Sequence, residues 1–356
     1  MKQLLQCRIL FVALISLSAI VLSPALLANP ATATSSESYP EIKAATDTLS
    51  NAGFQGVILI KAGDLPPQTF SHGSASCKKA RPFDGSERFD MGSITKSVTA
   101  AAVLRLVERG DLTLETRLGD VLHQVPANKA DITVKQLLMH TSGLPDSLGE
   151  DESYISKPDF LTLAFAAPRE ILAEGDDVYS NAGYSLLAAE IEQITGRRYE
   201  DAVRELVLAP AGVPGINYVA GNRARNTCGL LEGKRWGSTR DYFTRREPSW
   251  YLVGNGGMLA TPTELAAFFE AIWKGDVLNP ESLVLFDKSV KRTDKGGRPV
   301  RVASGSNLIF TSLYFNWPDQ KTTVVIMTSD SRFPKEKVTP GLYPAIVKVF
   351  ERLTPQ

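Results

Sequence analysis

A serine and a lysine stand three residues apart at Ser93 and Lys96, within RFDMGSITKSVTAAAVLRLVERGD (88–111). Residues three apart on a helix share a face, so the lysine amine would lie within reach of the serine hydroxyl. Burial lowers the pKa of a lysine because it penalises the charged form, and a neutral amine can accept the proton of a serine nucleophile. The alternative is a serine that caps the helix and a lysine whose amine extends into solvent.

The S-x-x-K spacing occurs twice in the chain. The copy at Ser76 and Lys79 falls in a stretch rich in Gly, Ser and Lys, which is typical of a solvated loop. The copy at Ser93 opens a predicted helix that carries no further charge between Lys96 and Arg105. The N-terminus of a helix also directs backbone N–H groups at a reaction centre. The context therefore favours Ser93 as a candidate nucleophile.

A second polar group is the Tyr179-Ser180-Asn181 stretch, which precedes a predicted helix. A phenol can exchange protons with a lysine, and an amide can bind the amide of a substrate. The same Y-x-N pattern at Tyr314 runs from a predicted strand into a turn. Loops between elements carry functional residues more often than strands do, so we favour the copy at Tyr179.

The two ends of the chain are predicted to supply the strands that position these residues. A helix ending at Gly53 precedes GVILIKAG and QTFSHGSA, which flank DLPP and predict an antiparallel hairpin. Near the other end, RPVRVASG, NLIFTSLYF and KTTVVIMTS are rich in β-branched and aromatic residues and predict three antiparallel strands. A last helix is expected over about 341–353.

The middle of the chain, about 112–275, is predicted to be mostly helical. ITVKQLLMHTSGLPD predicts a helix that runs to Gly143, NAGYSLLAAEIEQITG a helix capped by Asn181, and TPTELAAFFEAIWKG a helix with a capping box of Thr261 and Glu264. We therefore expect an α/β fold. Its antiparallel sheet is built from the N- and C-terminal strands and flanked by helices, with an inserted, mostly helical lobe. The cleft between sheet and lobe is the expected site.

The N-terminal segment is predicted to direct export. Lys2 and Arg8 precede a long apolar run, and Ala31-Thr32-Ala33 resembles a cleavage site, which together predict a signal peptide over 1–33. A linker over 34–40 and a hydrolase domain over 41–356 would follow. An uncleaved membrane anchor is the alternative. Cleavage would leave a periplasmic or extracellular protein without stable membrane insertion.

Composition restricts the classes of partner. The 356 residues are 43% hydrophobic and 22% charged, with 39 basic and 39 acidic residues, so no charge excess indicates nucleic acid. The histidines His72, His123 and His140 lack the spacing of metal ligands, and neither metal nor organic cofactor is predicted. We expect His140 to contact the carbonyls at the end of its helix.

Two further groups of residues leave alternatives open. Cys77 and Cys228 would remain after signal cleavage, as a disulfide or as two separate thiols. A group of aromatic residues before GNGG would either cover the core or wall a substrate pocket. It comprises Tyr242, Phe243, Trp250 and Tyr251.

Several long stretches together resemble the serine β-lactamase and penicillin-binding-protein superfamily, nearest its branch of class C β-lactamases, D-alanyl-D-alanine carboxypeptidases and esterases. They include FDMGSITKSVTAAAVLRLVERGDLTLETRLGDVL, ITVKQLLMHTSGLPD, YSNAGYSLLAAEIEQITGRRYEDAVRELVLAPAGV and GNGGMLATPTELAAFFEAI. The resemblance implies Ser93 as the acylated nucleophile, Lys96 as its proton acceptor and Tyr179 as a proton shuttle to the leaving group. It also implies that Asn181 binds the acyl-side amide, and that backbone N–H groups of Ser93 and Ser306 form the oxyanion hole.

The chain departs from the third motif of this superfamily, which is Lys or His, then Ser or Thr, then Gly. Here the aligned residues are Ala303-Ser304-Gly305, so Ser304 and Gly305 fit and a cation is missing. The sequence therefore predicts a serine hydrolase for a small-molecule or peptide substrate, with a neutral ester or amide favoured over an anionic β-lactam. The alternatives are a catalytically silent binding or regulatory protein, and a D-alanyl-D-alanine carboxypeptidase or β-lactamase proper.

Overall fold

The computed structural model describes residues 39–76, 81–151, 153–218, 227–238, 247–333 and 335–353. These residues belong to one compact unit. The predicted signal peptide over 1–33 lies outside them, as does the linker as far as residue 38.

The strands of the described residues occupy both ends of the unit and three short stretches between them. They are β1 (Gly56–Ala62), β2 (Gln68–His72), β3 (Phe89–Asp90), β4 (Cys228–Leu231), β5 (Lys234–Ser238), β6 (Leu259–Ala260), β7 (Lys291–Thr293), β8 (Pro299–Ser306), β9 (Thr311–Trp317) and β10 (Thr322–Thr328).

The helices of the described residues mostly lie between β3 and β7. They are α1 (Pro40–Asn51), α2 (Thr95–Arg109), α3 (Leu118–Val121), α4 (Val134–Leu138), α5 (Lys157–Ala166), α6 (Asn181–Thr195), α7 (Tyr199–Val203), α8 (Pro262–Lys274), α9 (Pro280–Val290) and α10 (Lys335–Leu353). A 3₁₀ turn over Gly92–Ile94 leads directly into α2, and a π-helical turn over Arg204–Leu208 extends α7.

Six strands form one antiparallel sheet in the order β2-β1-β10-β9-β8-β7. The N-terminal strand β1 pairs with the C-terminal strand β10, with Ile58 opposite Ile326. Both strands are buried at almost every position, as expected for strands covered on both faces. The fold class predicted from the sequence is confirmed, because the two ends of the chain build the sheet and helices cover it.

Successive strand residues point to opposite faces of the sheet, so β1, β9 and β10 contribute side chains to two apolar clusters, one on each face. One cluster, here the α1/α10 cluster, joins the sheet to the first and last helices and includes Ile58, Trp317, Leu342 and Phe350. The other cluster joins the opposite face to α2, α6 and α8, with Val98 among its buried residues. The candidate nucleophile, Ser93, lies on the face of the sheet that this second cluster covers.

Several sequence-based boundaries are confirmed. The β1–β2 hairpin forms, and β8, β9 and β10 are antiparallel neighbours. Gly110 and Gly196 end α2 and α6 in the left-handed conformation, which glycine adopts without steric cost. The predicted capping box of Thr261 and Glu264 begins α8.

Two helix boundaries next to the site were predicted wrongly. The helix α4 ends at Leu138 rather than near Gly143, because His140 adopts a positive φ of 61° and the chain turns away. The helix α6 is capped by Ser180, whose hydroxyl accepts the N–H of Gly183, whereas Asn181 is its first helical residue. The side chain of Asn181 is thereby left for other contacts.

Two boundaries near the C-terminus also differ. The strand β9 begins at Thr311 and not at Asn307, because the Asn307 side chain accepts the N–H groups of Ile309 and Phe310 and closes a turn. The last helix already begins at Lys335 and continues through Pro340 and Pro344. Buried Val338 extends its apolar face, and each of the two prolines lacks the N–H of a helical hydrogen bond.

Cys228 on β4 is disulfide-bonded. Its backbone N–H donates to the carbonyl of Ala75. Cys77, the partner considered from the sequence, lies outside the described residues, and the pairing stays a prediction.

Candidate active site

Ser93 lies at the centre of the 3₁₀ turn that precedes α2. The buried carboxylate of Asp90 accepts the N–H of Gly92 at 2.7 Å and so fixes the entry to this turn. Gly92 has a φ of +50°, and a Cβ at this position would lie 2.6 Å from the backbone nitrogen of Ser306. Glycine is therefore required here both by the backbone conformation and by the close approach of β8.

Lys96 lies one turn further along and is 6% exposed. Its Nζ lies 3.1 Å from Ser93 Oγ, 2.5 Å from Asn181 Oδ1 and 2.9 Å from the carbonyl oxygen of Asn255. The two oxygens of Asn181 and Asn255 can only accept, so a neutral amine gives them its two N–H groups. The remaining lone pair then faces the hydroxyl of Ser93.

Burial lowers the pKa of Lys96 to about 7, although the carboxylates of Asp146 and Asp151 partly oppose this shift. A substantial fraction of the amine is therefore neutral at neutral pH, which a proton acceptor requires. Burial raises the pKa of Tyr179, so its side chain is a phenol rather than a phenolate at neutral pH. The phenol donates to Ser93 Oγ at 2.7 Å.

The residues Tyr179-Ser180-Asn181 are held by the loop that follows α4. The Ser180 hydroxyl donates to the carbonyl of Pro145, and the Asn181 N–H donates to the carbonyl of Asp146. The Asn181 side-chain amide also donates to the Asp146 carboxylate at 2.9 Å. This last bond fixes the orientation of the amide, so that its oxygen is presented to Lys96.

The second half of β8 forms one side of the site. The strand β7 pairs only with Pro299–Arg301, which leaves Ala303 to Ser306 at the edge of the sheet. A Cβ on Gly305 would overlap the carbonyl oxygen of Met91 and lie 2.6 Å from the Ser93 nitrogen. The backbone nitrogens of Ser93 and Ser306 thus flank one close contact between the 3₁₀ turn and β8.

Ser93 lines two cavities. The smaller, of about 60 Å³, is polar, and its walls include Asp90, Asn181, Asn255, Ser306 and Asn307. The larger, of about 510 Å³, is more apolar, and its walls include Met139, Tyr179, Val290, Ala303 and Ser304. A substrate bound at Ser93 can therefore place one part among amides and carboxylates and the other in a cavity of mixed character, whose walls also include Lys288 and Arg292.

All six candidate site residues of the sequence analysis line one or both cavities around Ser93, namely Ser93, Lys96, Tyr179, Asn181, Ser304 and Ser306. The competing Y-x-N at Tyr314 is structural, because Tyr314 is buried on β9 and accepts the indole N–H of Trp273. The competing Lys79 lies outside the described residues.

Trp250 is buried against Phe160 and covers the core. Tyr242 and Phe243 lie outside the described residues.

Sequence reasoning missed three contributors to the site. Asp146 orients Asn181, and the Asn255 carbonyl accepts from Lys96. His140 was expected to meet helix carbonyls, but its Nδ1 instead accepts the N–H of Ser180 at 3.1 Å. The signal for His140 and Asp146 was present, because both lie in HTSGLPD, within one of the stretches that carried the family resemblance.

Within the described ranges, no group of three or more His, Cys, Asp or Glu side chains is placed to hold a metal ion. No helix of those ranges combines the length and apolarity needed to cross a membrane.

Comparison with known proteins gives relatives with several activities. Penicillin-binding protein 4* of Bacillus subtilis (strain 168) is 25% identical over 285 residues, which cover 74% of this chain and 59% of that protein. Esterase EstB of Burkholderia gladioli is 27% identical over 270 residues, covering 64% of this chain and 66% of that protein. The chain thus spans less than two thirds of the length of these relatives.

Among solved structures, D-amino acid amidase from Ochrobactrum anthropi SV3 complexed with D-phenylalanine superposes with a TM-score of 0.71 at 20% identity. The match covers 87% of this chain and 98% of that one, and it supports the fold. Residues 46–343 match the family described as Beta-lactamase. Because this match spans most of the sequence, the chain belongs to the Beta-lactamase family, within the superfamily of serine β-lactamases and penicillin-binding proteins.

Proposed function

We propose that the protein is a serine hydrolase that cleaves an ester or amide bond through an acyl-serine intermediate. The observation that carries this proposal is the double contact at Ser93 Oγ, which lies 3.1 Å from the buried amine of Lys96 and 2.7 Å from the phenol of Tyr179. A nucleophile that touches both a base and a proton donor can be activated and can return a proton to a leaving group.

In the proposed acylation step, Ser93 Oγ forms a bond to the substrate carbonyl carbon while its proton passes to the neutral Lys96 amine. The bond to the leaving group then breaks, and that group takes up the proton from the Lys96 ammonium by way of Tyr179, so that the amine is neutral again and the phenol keeps its proton. The backbone N–H groups of Ser93 and Ser306 would stabilise the oxyanion, each by about 3 kcal/mol in the transition state. Water then hydrolyses the acyl-serine, which releases the acid and restores the hydroxyl.

The proposed substrate is a neutral ester or amide. The wall of the larger cavity carries Ala303 at the position where the superfamily motif has a cation. Lys288 and Arg292 also line this wall, so the preference for a neutral substrate rests on the cation lost at position 303 alone. The relatives named as an esterase and an amidase support the same class of substrate. Export of the protein, which rests on the signal-like residues 1–33, is also part of this proposal.

Covalent labelling with a fluorophosphonate and with a fluorescent penicillin, followed by mass spectrometry of the Ser93 peptide, tests the acyl-serine. We expect labelling that disappears in Ser93→Ala and falls steeply in Lys96→Ala. Ser97→Ala is the matched control, because Ser97 lines the same cavity on the same helix. A protein that no acylating reagent modifies would instead be a silent binding or regulatory domain.

The rate of hydrolysis of a chromogenic cephalosporin, compared with that of short acyl esters, tests the substrate class. We expect the esters to be cleaved faster. A much faster cephalosporin reaction would identify a β-lactamase proper, and release of D-alanine from a peptide ending in D-alanyl-D-alanine would identify a carboxypeptidase.

A further inference from the structure

We infer that His140 is a positioning residue, which holds Tyr179 against Ser93 by binding the backbone on both sides of that tyrosine. The inference rests on the proposed function for its catalytic consequence. It rests on the contacts of His140 alone for its structural content, so the two can be tested separately.

His140 contacts three successive residues. Its carbonyl oxygen accepts the N–H of Val178 at 2.9 Å, and its ring Nδ1 accepts the N–H of Ser180 at 3.1 Å. Between these two bonds, the imidazole packs on the ring of Tyr179 with a centroid distance of 4.6 Å and an interplanar angle of 30°. The backbone of Tyr179 is thus fixed before and after its own side chain, and the ring itself is supported.

The backbone at His140 has a positive φ, which is uncommon for residues other than glycine. With a φ of 61°, His140 ends α4 in the left-handed conformation, and the Thr141 N–H closes the end of the helix on the Gln136 carbonyl. Glycine or asparagine occupies such a position at lower cost. A histidine is therefore placed where its backbone is disfavoured, and an observed outlier of this kind points to a role for the side chain.

The ring must be neutral to make this contact. Because Nδ1 accepts a hydrogen bond, the ring proton lies on Nε2, whereas a protonated imidazole would present N–H groups at both nitrogens. Burial first, and the nearby Lys96 second, lower the pKa of His140 to about 4, while Asp177 opposes the shift. Tyr179 and Tyr184 are the other titratable groups packed on the ring.

A series of substitutions separates the acceptor atom from the backbone conformation. His140→Gly removes the side chain and accepts the positive φ. His140→Asn also tolerates the positive φ and places Oδ1 where Nδ1 accepts from Ser180. Gln124→Gly is the matched control, since Gln124 is exposed, has a φ of 60° and is absent from the walls of the two cavities at Ser93.

The first measurement is the second-order rate of labelling by the fluorophosphonate. We expect His140→Gly to lower this rate by about 10- to 100-fold, since small misplacements of catalytic groups cost this much. His140→Asn should recover most of the loss, and Gln124→Gly should leave the rate unchanged. In a Tyr179→Phe background, His140→Gly should lower the labelling rate little further, because His140 acts through the Tyr179 hydroxyl that this background lacks. Equal rates in the Gly and Asn variants, or fully additive losses, would refute the inference.

The second measurement does not depend on activity. Amide hydrogen exchange of Ser180 should be slow in the wild type, faster in His140→Gly and slow again in His140→Asn. Val178 donates to the backbone carbonyl of residue 140, which every variant keeps, and it serves as the internal reference. If the wild type resists every acylating reagent, the proposed function fails while hydrogen exchange still decides the role of His140. Unchanged protection of Ser180 in His140→Gly would exclude it.

Discussion

The two side chains next to Ser93 differ in how readily they lose a proton near neutral pH. Lys96 is buried with its pKa lowered to about 7, whereas the pKa of Tyr179 is raised. The amine is therefore the group that can accept the serine proton near neutral pH, and the phenol is the group that can donate. This assignment gives the proposed proton transfer a direction that the distances alone do not.

The first prediction concerns pH. Below its pKa the Lys96 ammonium has no lone pair, so the acylation rate should rise with pH and reach half of its maximum near pH 7. Labelling rates between pH 5 and pH 9 measure this profile. Lys96→Arg, which keeps a charge at every pH, should lose about 10²- to 10⁴-fold across the range. A flat wild-type profile would show that Lys96 is not the base.

At the scale of elements, the site depends on how closely β8 approaches the turn before α2. This approach is possible because Gly92 and Gly305 face each other's backbone without side chains. The edge of β8 that is left unpaired by β7 is consequently held within reach of Ser93.

The second prediction is that Gly305→Ala strongly slows the labelling of Ser93 without unfolding the protein. The new Cβ would overlap the Met91 carbonyl oxygen, and neither backbone segment can move without separating β8 from Ser93. We expect labelling to fall by about 100-fold or more, as when an oxyanion donor is lost. Circular dichroism should be unchanged. Pro299→Ala, at an exposed position of the same strand, is the control and should label normally.

The helix α6 positions Asn181 but also buries an acid. Glu190 is 1% exposed, and neither carboxyl oxygen has a hydrogen-bond partner among the described residues. Burial raises the pKa of Glu190 to about 8, compared with 4.5 for the free side chain. Between these values the unfolded chain has lost its proton and the folded chain keeps it, so this group lowers stability as the pH rises.

The third prediction follows from that linkage. Glu190→Gln keeps the size and polarity of the protonated acid but cannot ionise. We expect its free energy of unfolding to exceed that of the wild type by up to about 3 kcal/mol at pH 7, and the difference to vanish below about pH 4.5. Urea unfolding at both pH values measures this. Glu281→Gln, at an exposed position of α9, should show no such difference, and equal stability of Glu190→Gln and wild type at pH 7 would contradict the assignment.

At the scale of the whole molecule, the sheet lies between a cluster of apolar residues that stabilises the fold and the residues of the candidate site. The α1/α10 cluster fills one face, while Ser93, Lys96 and the helices that surround them pack on the other. Residues of the first cluster should therefore contribute to folding without contacting the site.

The fourth prediction is that a substitution in the α1/α10 cluster lowers stability but leaves the candidate site unchanged. Leu342 is 1% exposed in the α1/α10 cluster, and Leu342→Ala should lower the free energy of unfolding by about 2–5 kcal/mol through the lost contacts and the cavity left behind. The labelling rate per folded molecule should stay within about twofold, because distant sites act independently. Val284→Ala, at a position that is 58% exposed, controls for the substitution itself. A large loss of rate in Leu342→Ala would show that the two faces are coupled.

Much of this protein follows from local sequence. The spacing of Ser93 and Lys96 brings them together because residues three apart on a helical turn share a face, whatever surrounds them. The apolar runs of β1 and β10 predict buried strands, and Thr261 with Glu264 predicts the start of α8, because each pattern acts within a few residues. These features needed no knowledge of the fold.

The contacts between residues that are distant in the chain were decided only by the tertiary structure. Tyr179 lies 86 residues from Ser93, and the carbonyl of Asn255 lies 159 residues from Lys96. The depth of burial that sets the pKa of Lys96, and the turn that directs His140 at Ser180, arise from packing between elements. Sequence patterns report the periodicity of one element, whereas these distances depend on how separate elements are packed against one another.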